Sequence, residues 1–246
     1  MCGRFGQLDK DSLAEAYHVD ASTVDAFDPN YNTDVGSYAL IVRNDKPGEL
    51  QYAVFGLTPF WADKPKYVFN ARAEGDFNKA NDPAYNGEKG LFKKPFFRHL
   101  KRKRCILPVH YFLEGPEKER LKKPYIVERK DQKPFALGGL WDEWTDKDSG
   151  EILPSFTIIT TPNNELLGRV GHHRSPLLIP DDQVSDWLDP ERDRASTEAF
   201  LQPFSPDGFH AFRVDPEIRR KNDKGQNNSP LLTQQVGEEL GVNSKE

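Results

Sequence analysis

Cys2 is the residue whose type and position together offer the most unusual chemistry in this sequence. Met1 precedes it, and removal of Met1 would leave an N-terminal cysteine with an α-amine and a thiol on adjacent carbons. The amine has an ordinary pKa of about 7.7–8.0 and the thiol one of about 8.5, so both are partly nucleophilic near neutral pH. With an aldehyde such a pair forms a Schiff base and then a five-membered thiazolidine, whereas with an amide the thiolate attacks the carbonyl. The alternative is an ordinary second residue with Met1 retained.

Two polar side chains in the segment 70–74 are spaced to share one face of an extended chain. Asn70 and Arg72 are two residues apart, and alternate side chains of a strand point to the same face. A neutral amide would then stand beside a cation that pairs with phosphate. The alternative is an ion pair between Arg72 and Glu74 at the end of a strand.

Glu114 and the adjacent residues His172 and His173 are the candidates for proton transfer. Glu114 follows aromatic and aliphatic residues, which disfavour the ionised carboxylate and raise its pKa; an outward-facing glutamate is the alternative. Histidine exchanges protons near pH 7. Because there is no HExxH, no CxxC and no second ligand cluster, we predict no metal site. Cys105 lies in a hydrophobic run and is expected to be a core thiol.

The composition excludes several classes of protein. Of 246 residues, 36% are hydrophobic, 11% aromatic and 30% charged, which fits a folded chain better than a fibre or a disordered one. No stretch approaches the ~20 apolar residues of a membrane span, and residues 1–11 lack the apolar core of a signal peptide. We therefore expect no membrane contact and no secretion, with a cytoplasmic, nucleoid-associated location in a bacterium or a nuclear one in a eukaryote. Two cysteines cannot build a disulfide framework.

The net charge disfavours a nucleic-acid partner, but the charge distribution does not. With 34 basic and 39 acidic residues, the chain carries a net charge of -5. Residues 98–104 nevertheless hold five Lys or Arg, and residues 219–221 hold three more. Such runs either line a phosphate-binding surface or form a solvated face, and both readings stay open.

Short β-rich runs separated by turn residues dominate the chain and must position these side chains. The predicted strands are 38–43, 50–57, 104–113, 124–129, 134–141, 155–160, 175–179 and 209–214. The predicted helices are 9–18, 89–102, 162–168, 181–188 and 193–202, the third with Thr161 as its N-cap and Pro162 in its first turn. This order predicts an α+β protein with a curved, mostly antiparallel, barrel-like β-sheet core flanked by helices. We expect a single domain over residues 1–230 and a polar C-terminal tail over 231–246.

These segments and several others resemble one family, the SOS response-associated peptidases (SRAP), also known as abasic-site processing proteins. The resemblance is carried by MCGRF at the N-terminus, YN at 31–32, GLTPFWA at 56–62, NARAE at 70–74, RCILP at 104–108 with Phe112 and Glu114 behind it, TIITTPNN at 157–164 and HHRSP at 172–176. The segments keep the family order over most of residues 1–180, which is more specific than any one of them.

The resemblance implies a function. A member of this family would remove its own Met1 and capture the ring-opened aldehyde of an abasic site as a thiazolidine on Cys2. The partner would be single-stranded DNA or a single-strand/double-strand junction that contains an abasic site, and no cofactor is expected. The implied activities are autoproteolytic peptidase, DNA–protein crosslinking and abasic-site lyase, in the DNA damage response. A Schiff base alone promotes strand cleavage, whereas closure by the thiol shields the strand.

The resemblance also implies roles for individual residues. The catalytic residues would be Cys2 as nucleophile, Asn70 beside the reacting centre, Glu114 for proton transfers in ring opening and Met1 release, and His172 on the sugar. DNA would be contacted by Arg4, Asn32, Pro59, Trp61, Arg72 and Arg174, with arginines on phosphates and Trp61 with Pro59 against a base.

Two departures from the family pattern affect these roles. The family usually has an acidic residue after the histidine, where this chain has His173, so either His172 or His173 is the active histidine. The family commonly reads GFYEW around the glutamate, where this chain reads YFLEG. Tyr111 and Gly115 therefore predict a differently shaped pocket beside Glu114.

Two other functions stay open. Glutamine amidotransferases with an N-terminal nucleophile also begin Met-Cys-Gly, although this chain lacks the Arg-Gly-Asp-type and Asn-Gly segments expected to hold glutamine. A non-catalytic module for single-stranded DNA would keep Met1 and bind DNA whether or not an abasic site is present.

Overall fold

The computed structural model describes residues 2–75, 89–222 and 225–241; Met1, whose removal is predicted, lies outside them. The strands are β1 (Arg4–Gln7), β2 (Asn30–Asp34), β3 (Tyr38–Arg43), β4 (Gln51–Phe55), β5 (Asn70–Arg72), β6 (Arg104–Val109), β7 (Tyr111–Glu114), β8 (Tyr125–Arg129), β9 (Phe135–Thr145), β10 (Ile152–Pro162), β11 (Arg174–Pro176), β12 (Leu178–Ile179), β13 (Phe209–Arg213), β14 (Lys221–Asn222), β15 (Gly225–Gln226) and β16 (Glu239–Gly241). The helices are α1 (Lys10–Tyr17), α2 (Pro95–Arg98), α3 (Glu165–Val170), α4 (Val184–Leu188) and α5 (Arg194–Ala199). Short 3-10 helices lie at Leu91–Lys93, His99–Arg102, Arg120–Lys122, Asp181–Gln183, Pro216–Arg219 and Pro230–Thr233.

Five strands close a barrel. Going round it, β3 pairs with β4, β4 with β10, β10 with β9, β9 with β6, and β6 with β3. The β4–β10 pairing is parallel and the other four are antiparallel. Because closure pairs both edges of every barrel strand, these strands form a rigid frame.

A six-stranded antiparallel sheet packs against this barrel. Its order is β16, β13, β8, β7, β1 and β2. Phe5 of β1 and Phe55 of β4 meet with ring centroids 5.3 Å apart, and Phe55 stacks on Phe156 of β10. The same core contains Cys2 and Phe112. Burying each such phenylalanine stabilises the fold by about 1.5–3 kcal/mol, so the N-terminal segment that holds Cys2 is anchored in the core between the sheets.

The structure confirms the predicted α+β fold, with one domain and a mostly antiparallel, barrel-like core. It differs at the run 104–113, which is divided between β6 in the barrel and β7 in the second sheet. The break is at His110, whose backbone N–H donates to Gly6 and whose Nδ1 accepts from Leu8 N–H at 3.2 Å. The break lets β7 carry Glu114 away from the barrel wall.

The first predicted helix is close to the observed α1. Asp9 is its N-cap, and the Asp9 carboxylate accepts the backbone N–H groups of Asp11 and Ser12. His18, in the left-handed conformation, ends the helix. The apolar face is short, with Leu13 and Ala14 buried, so the cap carries much of the local stability.

Two predicted helices are wrong in their details. Residues 162–168 do not begin with Thr161 as N-cap, because β10 continues to Pro162 and pairs with Arg174 of β11. Asn164 caps α3 instead and accepts from Leu167 N–H at 3.0 Å. Residues 89–102 form two 3-10 turns and the one-turn α2 rather than one helix, with Pro95 at the first turn of α2.

Part of the segment expected to be a tail is paired. Within 231–246, strand β16 pairs with β13, and residues 242–246 lie outside the described part of the chain. The end of the domain near residue 230 stays a prediction. None of the described helices has the length and apolar character to cross a membrane.

Candidate functional site

The four predicted catalytic residues come from four distant parts of the chain and meet at one place. Cys2 precedes β1, Asn70 begins β5, Glu114 ends β7, and His172 follows α3. Asn70 Nδ2 donates to the carbonyl oxygen of Cys2 at 3.0 Å. Glu114 Oε2 lies 3.4 Å from His172 Nε2, and the charge of Glu114 acts on the Cys2 thiol.

Asn70 is fixed by its strand. β5 lies parallel to β10, with Asn70 opposite Ile158, and Nδ2 also donates to the Phe69 carbonyl at 2.9 Å. Its Oδ1 is buried and has no hydrogen-bond partner among the described residues. A buried amide oxygen without a donor is costly. Asn70 can therefore accept a hydrogen bond from a group that enters beside Cys2.

The Cys2 thiol is held in its neutral form. Its side chain is 1% exposed, and burial raises its pKa well above the ordinary range, with the negative charge of Glu114 adding to the effect. Few thiolates exist at neutral pH under these conditions. A reaction at this sulfur therefore needs a neighbouring group to take its proton.

Glu114 is poised to exchange protons near neutral pH. Burial raises the pKa of its carboxyl to about 7, because the apolar surroundings disfavour the charged form. The last residue of β7 thus holds comparable amounts of acid and base at pH 7. A carboxyl with such a pKa serves in either direction of proton transfer.

His172 is neutral, and its tautomer is fixed. Its Nδ1 lies 2.9 Å from the carbonyl oxygen of Gly115, which can only accept, so Nδ1 carries the proton and Nε2 presents a lone pair toward Glu114. Burial lowers the pKa of the imidazole to about 4. The helix α3 ends at Gly171 with φ of 83°, a conformation that glycine adopts without strain, and the chain then turns His172 inward.

His173 has different surroundings from its neighbour. Its side chain is 39% exposed, and Nδ1 lies 3.1 Å from Glu117 Oε2. His172 is only 8% exposed and stands beside Glu114. Of the two histidines that the sequence left open, the geometry favours His172 as the one that reaches the reacting groups.

A cavity of about 540 Å³ opens beside these groups. Its walls are formed by Gly3, Arg4, Asp34, Val35, Phe69, Leu113, Glu114, Gly115, Pro116, Glu117, Arg120, Leu121, His172 and His173. At Gly115 a Cβ would overlap the carbonyl oxygen of Arg120. Glycine is therefore required for the loop after β7 to fold back there. The sequence marked Gly115 as a departure but missed Arg120 and Phe69, whose spacing gives no signal.

Arg4 and Asn32 are buried and bonded to the protein. Arg4 Nη1 donates to Asn32 Oδ1 and to the Ile218 carbonyl, both at 2.9 Å, and Nη2 lies 3.4 Å from Asp34. Asn32 Nδ2 donates to the Ile218 carbonyl at 2.6 Å. Contact of these two residues with DNA stays a prediction, and both have internal structural roles in this state.

Arg174 and Arg72 differ in whether their charge is already paired. Arg174 is buried and forms a two-point ion pair with Glu74, with further bonds to Thr160. The ion pair at the end of β5 is thus made by Arg174 and not by Arg72. Arg72 is half-buried and makes no side-chain hydrogen bond or ion pair with the described residues.

The predicted base-stacking surface has a different composition from the one expected. Trp61 is 55% exposed, as a stacking ring requires, but Pro59 is buried. Phe60, which the sequence analysis passed over, is 62% exposed. Lys66 Nζ lies 5.2 Å from the Trp61 ring centroid. Phe60 and Trp61 follow the predicted strand 50–57 in a connecting segment, and because such segments run over the protein surface, the pair could have signalled exposed rings.

The basic run 98–104 does not form one surface. Arg104 is fully buried, donating to the carbonyl oxygens of Trp187, Lys101 and Asp189. Lys103 lies 2.6 Å from Asp142. The clustering in sequence therefore overstates the charge available to a partner.

No group of three or more His, Cys, Asp or Glu side chains within the described ranges is arranged to hold a metal ion. The site is built instead from a thiol, a carboxyl, an imidazole and an amide. Side chains of these types are suited to nucleophilic and acid–base chemistry.

Comparison with known proteins gives a consistent result. A family described as SOS response associated peptidase (SRAP) matches residues 1–221. The abasic site processing protein YoqW of Bacillus subtilis is 32% identical over 243 residues, covering 94% of this chain and 98% of that protein. The abasic site processing protein HMCES of Xenopus tropicalis is 24% identical over 90% of this chain and 72% of its own length. A crystal structure of a Bacteroides thetaiotaomicron protein shares the fold with a TM-score of 0.78 at 24% identity, covering 96% of this chain and 100% of that one.

Proposed function

The chain belongs to the SOS response-associated peptidase family, and from that premise we propose that it captures abasic sites in single-stranded DNA as a thiazolidine on Cys2. Its relatives are named abasic site processing proteins, which supports an abasic site as the target. The covalent chemistry is inferred from the geometry of the site. The observation that carries it is the meeting of Cys2, Asn70, Glu114 and His172 at one place, where Glu114 and His172 line a cavity.

The first step prepares the nucleophile. Hydrolysis of the Met1–Cys2 peptide bond consumes one water, releases methionine and frees the α-amine of Cys2. Because burial keeps the thiol neutral, Glu114 in its carboxylate form is the group suited to take the thiol proton when sulfur attacks the preceding carbonyl. The C–N bond then breaks, the proton passes to the leaving amine, and water hydrolyses the thioester so that methionine leaves and the thiol is restored. Asn70 Oδ1, which has no hydrogen-bond partner among the residues described, is suited to accept a hydrogen bond from the freed amine.

The second step opens the sugar. An abasic deoxyribose is mostly a closed hemiacetal, and opening it removes the hydroxyl proton and protonates the ring oxygen. The lone pair on His172 Nε2 is suited to take the first proton, since Nδ1 is engaged with Gly115. Glu114 in its acid form is suited to give the second, because its pKa is about 7.

The third step forms the crosslink. The amine adds to the aldehyde carbon and expels one water to form an imine. The thiol then adds to the imine carbon, its proton moves to nitrogen, and the ring closes with no further loss. Removal of the imine prevents β-elimination, so the strand is shielded instead of cut.

The groups available to position DNA are fewer than the sequence suggests. Arg72 is the predicted phosphate contact that keeps an unpaired guanidinium among the described residues. Trp61, with Phe60 beside it, offers exposed rings on which bases stack. Since phosphate contacts and stacking read no base code, binding should be independent of sequence and weaken with salt.

A denaturing gel tests the proposal. The purified protein is incubated with a single-stranded oligonucleotide containing one abasic site, beside an intact oligonucleotide of the same sequence. We expect a shifted band that survives denaturant only with the abasic strand, and peptide mapping should place the adduct on Cys2.

The outcomes of that gel separate the alternatives. Absence of the band, with Met1 shown by mass spectrometry to be removed, contradicts covalent capture and makes glutamine hydrolysis the next assay. Equal non-covalent binding of both strands with Met1 retained identifies a binding module with an inert Cys2.

A further inference from the structure

Arg120 has a backbone conformation that an arginine rarely adopts. Its φ is 52°, in the left-handed region that suits glycine. The other described non-glycine residues with positive φ are His18, which ends α1, and Gln132, in the turn between β8 and β9. Strain of this kind at the edge of a site often accompanies a functional side chain. Glycine would fit position 120 without strain, so the arginine side chain needs a separate explanation.

Arg120 is one of the residues that form the wall of the cavity beside the reacting groups. It lines the cavity together with Glu114 and His172. Arg120 is exposed, and its guanidinium makes no hydrogen bond or ion pair with any residue that the structure describes. An unpaired cation at the wall of a cavity is suited to bind an anionic part of the ligand.

The loop holding Arg120 is fixed against the segment that holds His172. Glu117 N–H donates to the Gly171 carbonyl at 3.0 Å, and Glu117 Oε2 lies 3.1 Å from His173 Nδ1. These contacts fall on the two residues that flank His172. The absence of a side chain at Gly115 lets the Arg120 carbonyl approach. The loop is therefore set in position before a ligand arrives.

The acidic residues around Arg120 are already engaged. Glu117 faces His173, and Asp34 lies 3.4 Å from Arg4. Glu114 is buried. An incoming anion therefore meets a guanidinium that is not neutralised from within the described cavity wall.

We propose that Arg120 binds a phosphate group beside the sugar that reacts with Cys2, so that residues 115–121 form a phosphate subsite of the cavity. The guanidinium can make two parallel N–H···O bonds to a phosphate. The inference rests on the proposed function, because it assumes that the bound phosphate belongs to the DNA strand with the abasic site. A free sugar phosphate would offer Arg120 the same phosphate group. Arg120 is a positioning residue, since it holds the substrate and transfers no proton.

The test uses an oligonucleotide that cannot form a crosslink. A single strand carrying a tetrahydrofuran abasic analogue has the same phosphates but no aldehyde. Its Kd is measured for the wild type, Arg120→Gln and Arg120→Gly over a range of salt concentrations. We expect both variants to bind about tenfold more weakly, and the slope of log Kd against log salt to fall by about 0.7, the value for one phosphate contact on a single strand.

Two variants control for charge and for backbone strain. Lys118→Gln removes a charge from the same loop outside the cavity wall, and Gln132→Gly relieves a positive φ away from the cavity. Both should bind like the wild type. Arg120→Gly should keep or raise Tm while it loses affinity, which a purely structural arginine would not do. Wild-type affinity and salt slope in Arg120→Gln, or an equal loss in Lys118→Gln, would overturn the proposal.

The two proposals fail separately. If the wild type forms no crosslink with a true abasic strand but Arg120→Gln still weakens binding of the analogue, the covalent function fails and the subsite stands. Competition by deoxyribose 5-phosphate that works on the wild type and not on Arg120→Gln would show that one free phosphate is sufficient. Competition that is equal in both proteins would contradict a phosphate site at Arg120.

Discussion

The two cysteines of this protein are equally buried and have different surroundings. Cys2 is 1% exposed and Cys105 is 0% exposed, and burial raises the pKa of both thiols well above the ordinary range. Cys105 lies in β6 inside the barrel, where its Sγ would be 3.1 Å from a Cβ at Gly139. Cys2 lies near Glu114, which lines a cavity.

Burial alone does not decide which of the two cysteines can react. A buried thiol is a poor nucleophile by itself, because few of its molecules are ionised. Within the part of the chain that the structure describes, no carboxyl or imidazole shifts the pKa of Cys105, and the charge that does act on it belongs to Arg43. Cys2 has a carboxyl with a pKa of about 7 nearby and an imidazole beyond it. The neighbours that move protons, and not the accessibility of the sulfur, therefore distinguish the two sites.

The largest expected effect comes from exchanging the two thiols for alanine one at a time. Cys2→Ala should abolish the heat-stable crosslink to an abasic strand, while some strand cleavage by the new N-terminal amine remains. Cys105→Ala should give the wild-type yield. Denaturing gels measure both, and circular dichroism confirms that each variant is folded. A full-yield, heat-stable adduct in Cys2→Ala would contradict the assignment of Cys2 as the residue that forms the crosslink.

The second effect sharpens the role of Glu114. Glu114→Gln should slow crosslinking by about 1,000-fold, because the amide neither gives nor takes a proton. In the wild type, the fraction of unprotonated Cys2 amine rises with pH up to its pKa of about 8. The fraction of protonated Glu114 falls above its pKa of about 7, so the crosslinking rate should be highest between about pH 7 and pH 8.

The pH profile of Glu114→Gln is the matching control. In this variant the decrease in crosslinking rate above pH 7 should disappear. The rate should then only rise with pH, as the amine loses its proton. Single-turnover rates from pH 5 to 9 provide the measurement. A descending limb that persists in this variant would assign it to another group.

The smallest effect separates the adjacent histidines. His172→Gln should slow crosslinking by about 100-fold, because the lone pair next to Glu114 is lost. His173→Gln should stay within about twofold of the wild type, because His173 contacts the exposed Glu117. Rates at saturating abasic oligonucleotide measure both variants. An equal loss in the two would contradict the distinction drawn from the geometry.

Local sequence signals predicted much of the fold. Short runs of β-favouring residues bounded by turn residues identified β3, β8 and β13. The same signal could not show that residues 104–113 divide between two sheets. That division depends on His110 bonding to residues about a hundred positions earlier.

The short strand β5 shows the same limit at the site. Its three residues have no periodicity of their own, and their pairing with Ile158, Ile159 and Thr160 of β10 makes the strand. Asn70 and Arg72 were found by residue type and spacing. Their orientation comes from a partner strand almost ninety residues away.

The arginines show what sequence could not decide about binding. Arg4, Arg72 and Arg174 have the same side chain and the same predicted role, yet two of the three are engaged with carboxylates and carbonyls of the protein. Arg120 gave no signal, because its left-handed backbone and its place on the cavity wall depend on the loop closing against Gly171. Whether a charge is free is a property of its surroundings.

The sequence by itself determined the types of reacting group, the order of the family's segments and the β-rich class of the fold, because these depend on residue identity and local pattern. The tertiary structure decided which groups act on one another. It brought a thiol, an amide, a carboxyl and an imidazole from four distant segments to one place. Burial there raised the pKa of Glu114 to about 7 and lowered the pKa of His172 to about 4. The physical reason is that proton affinity depends on desolvation and near charges, which only the folded chain defines.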